Sequence, residues 1–347
     1  MKPTLNIQQN VNLAPFTTLH LGGNARYFIH AETEEQVVEA VTFVRKSDLK
    51  LFILGGGSNI VIADAGFDGV VLQISIPGIH ELETQGSNQQ LITVGAGENW
   101  DDFVKYSIDR NLAGIECLSG IPGSVGGTPV QNVGAYGQEV SETIVNVRCL
   151  DRKTGELVTL NNSECGFSYR KSIFNSTYQE RFIVLGVAFA LRPNGRPKLV
   201  YKDLIEYFAD SQPSVAEVRD AVLMIRRSKS MVIDADDPNS RSAGSFFKNP
   251  IVSRSKMEEL KSVYDRIPSF EFGEMFKIPA AWLIENAGFS KGFVLGEAGI
   301  SSNHSLALIN RGHASAKEIV VLKDRIQESV AAKFGIELHP EPIFVGF

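Results

Sequence analysis

The sequence predicts an α+β protein of more than one layer, and three observations carry that prediction. Short apolar runs alternate with amphipathic segments that bring their own caps. Glycine-rich passages interrupt them, and no internal repeat or low-complexity segment is present. With 347 residues, 43% hydrophobic and 21% charged, the chain has the balance of an ordinary globular protein and the length for two or three domains.

In order, residues 25–30 form a first strand. Thr33 then caps a helix, with Gln36 at the capping-box position and Val37, Val41 and Val44 on one face. Residues 51–54 are a short buried-type strand that runs straight into Gly55, Gly56, Gly57, Ser58 and Asn59. Strands over 70–74 and 91–94 follow, then a helix over 100–109. Residues 118–138 lack the periodicity of regular structure. Strands 144–150 and 157–160 meet through a turn at 153–155, and 182–191 is one of the most apolar segments. Residues 192–213 hold three prolines and suit a linker or surface loop. Ser214 and Glu217 make a second capping box, for a helix with Val215, Val218, Val222 and Ile225 inward. A helix over 276–287 is stopped by Gly288, and a last one over 320–334 is capped upstream by Ser315 and Glu318.

Bulk properties exclude several classes. The net charge is −6 and no run of five like charges occurs, so the footprint for nucleic acid is missing. The first twelve residues carry no apolar segment suited to a signal peptide, and no stretch of about eighteen uncharged apolar residues suits a membrane span. Cys117, Cys149 and Cys165 match no metal motif and no disulfide framework. A reducing cytoplasm and no metal are expected.

Chemistry starts with the glycines. In "LGGGSNIV" three glycines follow a strand, but no long helix pattern comes next, which argues against a dinucleotide-binding βαβ unit. Such a loop binds phosphate through backbone N–H groups, with Ser58 and Asn59 as added donors; a plain tight turn explains it equally well. The second passage, "SGIPGSVGGTPVQNVGAYGQE", holds Gly120, Gly123, Gly126, Gly127, Gly134 and Gly137, with Gly114 just before it. Ser124, Thr128, Gln131 and Asn132 are further donors. A loop this long inside a compact domain usually serves a ligand.

At these two loops the chain begins to resemble the UDP-N-acetylenolpyruvoylglucosamine reductases. "GGGSN", "GIPGSVGGTPVQNVGAYGQE", "YRKSIF", "RSAGSFFKNP" and a glutamate near the carboxyl end follow in the family's order, from about Leu19 to Phe347. The resemblance implies a vanillyl-alcohol-oxidase-like FAD-binding fold, two α/β subdomains around FAD, with a separate α+β substrate-binding domain. It divides the chain into residues 1–69 with 335–347, residues 70–213, and a substrate domain over 214–334. It implies noncovalent FAD, NADPH as hydride source and a UDP-sugar substrate; a monomer is expected. Gly55, Gly56, Gly57, Ser58, Asn59, Gly120, Ile121, Gly123, Ser124, Gly126 and Gly127 would hold the cofactor.

The resemblance also assigns the chemistry. Hydride adds to one carbon of an enol ether and a proton to its neighbour, so negative charge develops beside the substrate carboxylate. Arg170 in "SYRKSIF" matches the family's catalytic arginine; composition alone would read a surface arginine near a strand end. Ser245 in "AGSFFKNP" matches the proton donor, a poor acid that needs a nearby cation or relay, and alone it reads as a turn or cap residue. Glu341 in "HPEPIFVGF" matches the glutamate that stabilises the enolate-like intermediate as the neutral acid. An exposed tail carboxylate is the alternative, but Ile343, Phe344, Val345 and Phe347 favour a docked terminal strand. Some relatives carry a basic residue where this chain has Ile343, so a second carboxylate contact from there is not expected. Arg226 and Lys229 in "IRRSKS" are matched to the diphosphate, against an ordinary solvated helix end. Tyr201 resembles the tyrosine of a loop that covers the sugar nucleotide in one subtype, and a packed linker aromatic is the other reading. Asn249 would orient Ser245 or the substrate. His304 would touch the substrate or serve as a buried structural histidine. Two rivals remain: a same-fold alcohol or lactone oxidase, although neither flavin loop offers a histidine for covalent attachment, and a non-catalytic nucleotide-sugar binder.

Overall fold

A computed structural model of the chain describes residues 5–82 and 88–347. Packing groups the chain into two compact units: residues 1–11, 25–57 and 68–228, and residues 12–24, 58–67 and 229–347. The chain passes from one unit to the other between Gly57 and Ser58.

The first unit contains two sheets. One orders its strands Ile7–Asn12, Asn24–Ala31, Phe67–Ile74 and Leu51–Leu54, the last two parallel. The other orders Leu157–Asn161, Ile144–Asp151, Phe182–Pro193, Gln90–Gly95 and Ile79–Leu82, with Leu112–Ala113 also pairing with Phe182–Pro193. Helix Glu34–Ser47 buries Val37, Ala40, Val41 and Val44, as the spacing requires. Thr33 Oγ1 accepts from Gln36 N, but the Gln36 side chain accepts from Glu32 N, so the box closes one residue early. Helix Trp100–Asp109 starts where its pattern starts, at an Asn99 side chain that accepts from the amides of Asp101 and Asp102. Trp100, Phe103 and Phe189 meet in the core beneath it.

Two expectations change in this unit. Residues 192–213 are not all loop, because helix Lys202–Phe208 forms there and buries Leu204. Helix Val215–Ser228, expected to open the substrate domain, packs with the first unit through Val218, Ala221, Val222 and Cys117. Its Ser214 and Glu217 box is present, each side chain accepting from the other's amide.

The second unit is built around helix Ala316–Phe334, whose Ser315 and Glu318 form a capping box and whose Gly335, at φ 61°, ends it. Asp64 adds a second cap, accepting from Ala316 N at 2.7 Å and Lys317 N at 3.1 Å. The helix expected over 276–287 is shorter, Ala280–Asn286. The residues before it form strand Met275–Lys277, which pairs with Phe270–Phe272, and Pro279 sets the new start. The terminal strand is docked: Ile343–Val345 runs parallel to Ile60–Ile62, with Ile343 opposite Ile60. Among the described residues no helix is long and apolar enough to cross a membrane. None of their His, Cys, Asp and Glu side chains form a group that could hold a metal. All three cysteines are free and buried.

Candidate active site

In the first unit the two glycine-rich loops meet backbone to backbone. A Cβ on Gly56 would stand 2.5 Å from Gly123 Cα and 2.8 Å from Ser124 N, and one on Gly55 would stand 2.8 Å from Ser124 Oγ. Side chains do not fit at such distances. Gly57 (φ 64°), Gly120 (φ 70°) and Gly123 (φ 129°) also hold conformations that favour glycine. The fold therefore makes a bare ridge of peptide groups, the surface a pyrophosphate needs for close approach. The residues fit the dinucleotide cofactor.

Not every amide of that ridge is available. Gly120 N donates to Asp101 Oδ1 at 2.6 Å. Gly126 N donates to Ala96 O and Gly127 N to Ser124 O. None of these three expected cofactor residues offers its N–H, and Gly126 supplies shape instead: a Cβ there would come within 2.6 Å of Ala96 Cβ. Thr128 and Asn132 are likewise turned inward. Thr128 Oγ1 donates to Val125 O, and fully buried Asn132 donates to Glu139 Oε2 and Ser168 O.

Those inward contacts build the next feature. Ser168 and Lys171 exchange backbone hydrogen bonds around a tight turn with Tyr169 and Arg170 at its tip. The tail of the second loop grips this turn three times. Asn132 reaches Ser168 O at 3.1 Å, Ser172 Oγ donates to Val130 O at 2.6 Å, and Arg170 Nη2 donates to Gly134 O at 2.8 Å. Arg170 sits at φ 53°, an unfavourable region for a residue with a Cβ. Three neighbouring contacts hold the turn in that conformation.

A charged cluster adjoins the same loop. Arg219 grips Asp101 with two bonds of 2.7 and 2.8 Å. Burial pushes the Asp101 carboxyl upward, but Arg219, the Gly120 amide and Arg226 together outweigh it and hold the group below its ordinary value. Arg226 is only 6% exposed and donates to Tyr136, whose phenol burial pushes up to about 12. The Tyr136 and Tyr201 rings meet edge to face at 5.2 Å. Arg227, its neighbour in sequence, is exposed. None of the Asp101, Arg219 and Tyr136 roles was read from sequence, although Asp101 in the first turn of a capped helix was a visible signal.

The second unit holds Ser245, Asn249, His304 and Glu341. Ser245 Oγ lies 3.4 Å from His304 Nε2. Phe246 N donates to Leu306 O, and Glu341 N donates to Phe246 O, so the three segments are laced by backbone bonds. Asn59 gives its side-chain amide to Glu341 O and accepts Ile343 N at its own carbonyl. Expected beside the cofactor, it also splices in the chain end. Asn249 Oδ1 accepts from Ala280 N, which makes it a cap for helix Ala280–Asn286. Ile343 is 42% exposed on the docked strand. Arg170 belongs to the first unit and the other two candidate catalytic residues to the second.

Comparison with known proteins bears on this arrangement. A "FAD binding domain" model matches residues 25–161, and a model for the "UDP-N-acetylenolpyruvoylglucosamine reductase, C-terminal domain" matches residues 236–345. The UDP-N-acetylenolpyruvoylglucosamine reductase of Thermobifida fusca is 42% identical, with 99% of each chain covered. That of Streptomyces coelicolor is 43% identical, covering 96% of this chain and 89% of the relative. Among solved structures, the reductase from Thermus caldophilus is similar at a TM-score of 0.65 and 25% identity, covering 98% of this chain and 99% of the other.

Proposed function

Because this chain belongs to the UDP-N-acetylenolpyruvoylglucosamine reductase family, we propose that Arg170, Ser245 and Glu341 divide the chemistry of its reaction. That reaction reduces UDP-N-acetylglucosamine enolpyruvate to UDP-N-acetylmuramate, a step in peptidoglycan precursor synthesis. Bound FAD supplies the hydride, drawn from NADPH.

The chain's own residues handle charge and the proton. Hydride at one carbon leaves its neighbour, which bears the carboxylate, carbanionic. Arg170 binds that carboxylate, because a guanidinium stays charged and matches it with two parallel N–H bonds. Ser245 delivers the proton to the carbanionic carbon, and Glu341 flanks the developing enolate. Gly55, Gly56, Gly57, Ile121, Gly123 and Ser124 carry the pyrophosphate, with Ser58 and Asn59 at the loop's end. Lys229 takes the sugar nucleotide's diphosphate. Arg226, expected at the diphosphate, is instead buried against Tyr136, which suits a bracket for Tyr201, the residue that closes over the sugar nucleotide. Asn249 and His304 border the substrate. The partners are small molecules, and we read the protein as a cytoplasmic monomer without nucleic-acid or membrane contacts.

The Arg170 turn, at φ 53° and clamped by the tail of the second loop, supports Arg170, and the bond-laced segments of Ser245, His304 and Glu341 support the proton donor. The test separates the half-reactions. The purified protein should be yellow, NADPH should bleach it without oxygen, and the enolpyruvyl sugar nucleotide should restore the colour. Ser245→Ala should leave bleaching nearly intact and slow the return by about 100-fold or more, the usual range for a lost general acid. Equal slowing of both halves would remove Ser245 from the role of proton donor.

A further inference from the structure

A serine hydroxyl is a weak acid, and giving up its proton alone would leave an alkoxide, so Ser245 needs a second donor behind it. The structure offers one. His304 Nε2 stands 3.4 Å from Ser245 Oγ, and the loop that carries His304 is pinned at nearly every residue. Ser301 N donates to Ala307 O at 2.9 Å, and Ala307 N donates to His304 O at 3.1 Å. Ser302 donates to Asn239 Oδ1 through N and Oγ, Asn303 Nδ2 donates to Ser230 Oγ at 2.8 Å, and Ser305 Oγ donates to Glu285. The serine side is equally fixed. Phe246 N donates to Leu306 O at 2.8 Å, and the Phe246 and Phe247 rings are fully buried. One backbone bond, a residue beyond Ser245 and two beyond His304, sets the distance between their side chains.

We infer that His304 is the positioning residue that replaces the proton Ser245 gives away. The inference rests on the assignment of Ser245 as the proton donor. In one movement the Ser245 O–H bond breaks and a C–H bond forms at the carbanionic carbon. The imidazolium Nε2–H bond breaks and a new O–H bond forms on Ser245. The substrate gains one proton, the imidazolium loses one to become neutral imidazole, and Ser245 ends as it began. No electrons enter or leave, and solvent water reprotonates the imidazole between turnovers. A histidine suits the task because its ordinary pKa lies near neutrality.

The test uses the FAD-loaded full chain in anaerobic single turnovers. His304→Gln and His304→Ala are each first matched to the parent in flavin content and melting temperature. Both should be reduced by NADPH at the parent rate and reoxidised by the enolpyruvyl sugar nucleotide roughly 10- to 100-fold more slowly, part of a general acid's full effect. Added imidazole should restore His304→Ala, whereas pyrazole, of the same size but neutral at the assay pH, should not. Rate against D2O fraction should bow in the parent, with two protons in flight, and run straight in His304→Gln. Ser245→Ala/His304→Gln should be no slower than Ser245→Ala. Weaker sugar-nucleotide binding with an unchanged reoxidation rate would leave His304 as no more than a substrate contact and overturn the inference. Rescue by pyrazole as well as imidazole would make it a filler of space and overturn it too. If Ser245→Ala itself reoxidises at the parent rate, the donor assignment fails, which no result on His304 alone can imitate.

Discussion

The ridge of glycine loops and the segment around Ser245 both hold reacting groups in place, but they draw on different parts of the chain. In the ridge, Gly56 meets Gly123 with no room for a Cβ, so the peptide backbone itself is the contact surface. Around Ser245, backbone bonds lace the segments and side chains add to the fixing: Asn303 on Ser230, Asn59 on Glu341 O across 282 residues, and Ser245 beside His304. A contact made of backbone tolerates one residue type. A contact made by a pinning side chain tolerates several, so its composition says little in advance.

The strongest way to break that contrast is Arg170, which joins both means: a backbone strained at φ 53° and a side chain bound to Gly134 O. Arg170→Ala should lower the rate of reoxidation by the sugar nucleotide by about 100- to 1,000-fold, the range for removing one preorganised electrostatic donor. Reduction by NADPH should change little. Arg170→Lys should recover only part, because an ammonium lacks the planar fork. Arg170→Gly should be as inactive as Arg170→Ala yet melt higher than it, since glycine relieves a left-handed backbone by about 1 kcal/mol. A lower melting temperature for Arg170→Gly than for Arg170→Ala would sever strain from function at this turn.

The next prediction tests the ridge itself. Gly56→Val places its Cβ against backbone atoms of Gly123 and Ser124, which cannot move aside as a flexible side chain would. Forced overpacking of this kind costs about 1–3 kcal/mol, which in FAD affinity is roughly a 5- to 150-fold loss, read by fluorescence titration of FAD into apoprotein. Gly127→Ala is the control: the nearest atom to its Cβ would be Ser124 Oγ at 3.8 Å, so FAD affinity should stay within about twofold of the parent. A smaller effect is expected at the splice. Asn59→Ala removes the bond to Glu341 O and should cost about 1 kcal/mol in urea unfolding, together with a slower sugar half-reaction. Unchanged turnover there would mean that Glu341 is held without Asn59.

These cases show why part of the molecule was legible in its sequence. Helix Trp100–Asp109 and the paired strands Ile144–Asp151 and Leu157–Asn161 follow from local patterns that burial did not override. Both glycine loops announced themselves because backbone contact demands glycine. Helix Lys202–Phe208 was hidden behind flanking prolines that suggested a linker. The early start expected for helix Ala280–Asn286 arose because Phe276 and Ala280 match helical spacing, whereas strand pairing with Val252 claims Phe276. The partners of Asp101 and Asn132 could not be read for another reason. Each acts by what it meets far along the chain, Arg219 for Asp101 and Ser168 for Asn132, and no local rule pairs those positions.

Asp101 gives the gentlest comparison between the two kinds of contact, since one carboxylate serves both: a glycine amide on one side and a guanidinium on the other. Its folded pKa is held below the ordinary 3.8, the burial that would raise it being outweighed by Arg219, Gly120 N and Arg226. A depressed carboxyl stabilises the fold fully above its unfolded value, near 3.9, and loses that contribution as pH falls through the folded value. Asp101→Asn keeps an oxygen for Gly120 N but cannot pair ionically with Arg219 or titrate. The parent should therefore unfold later than the variant by a constant margin from neutral pH down to about 5, and the margin should shrink below about pH 4. Urea midpoints at pH 7, 5, 4 and 3 would measure it. If the margin stays constant to pH 3, the carboxylate's charge contributes nothing, and the glycine amide alone is what Asp101 is there to hold.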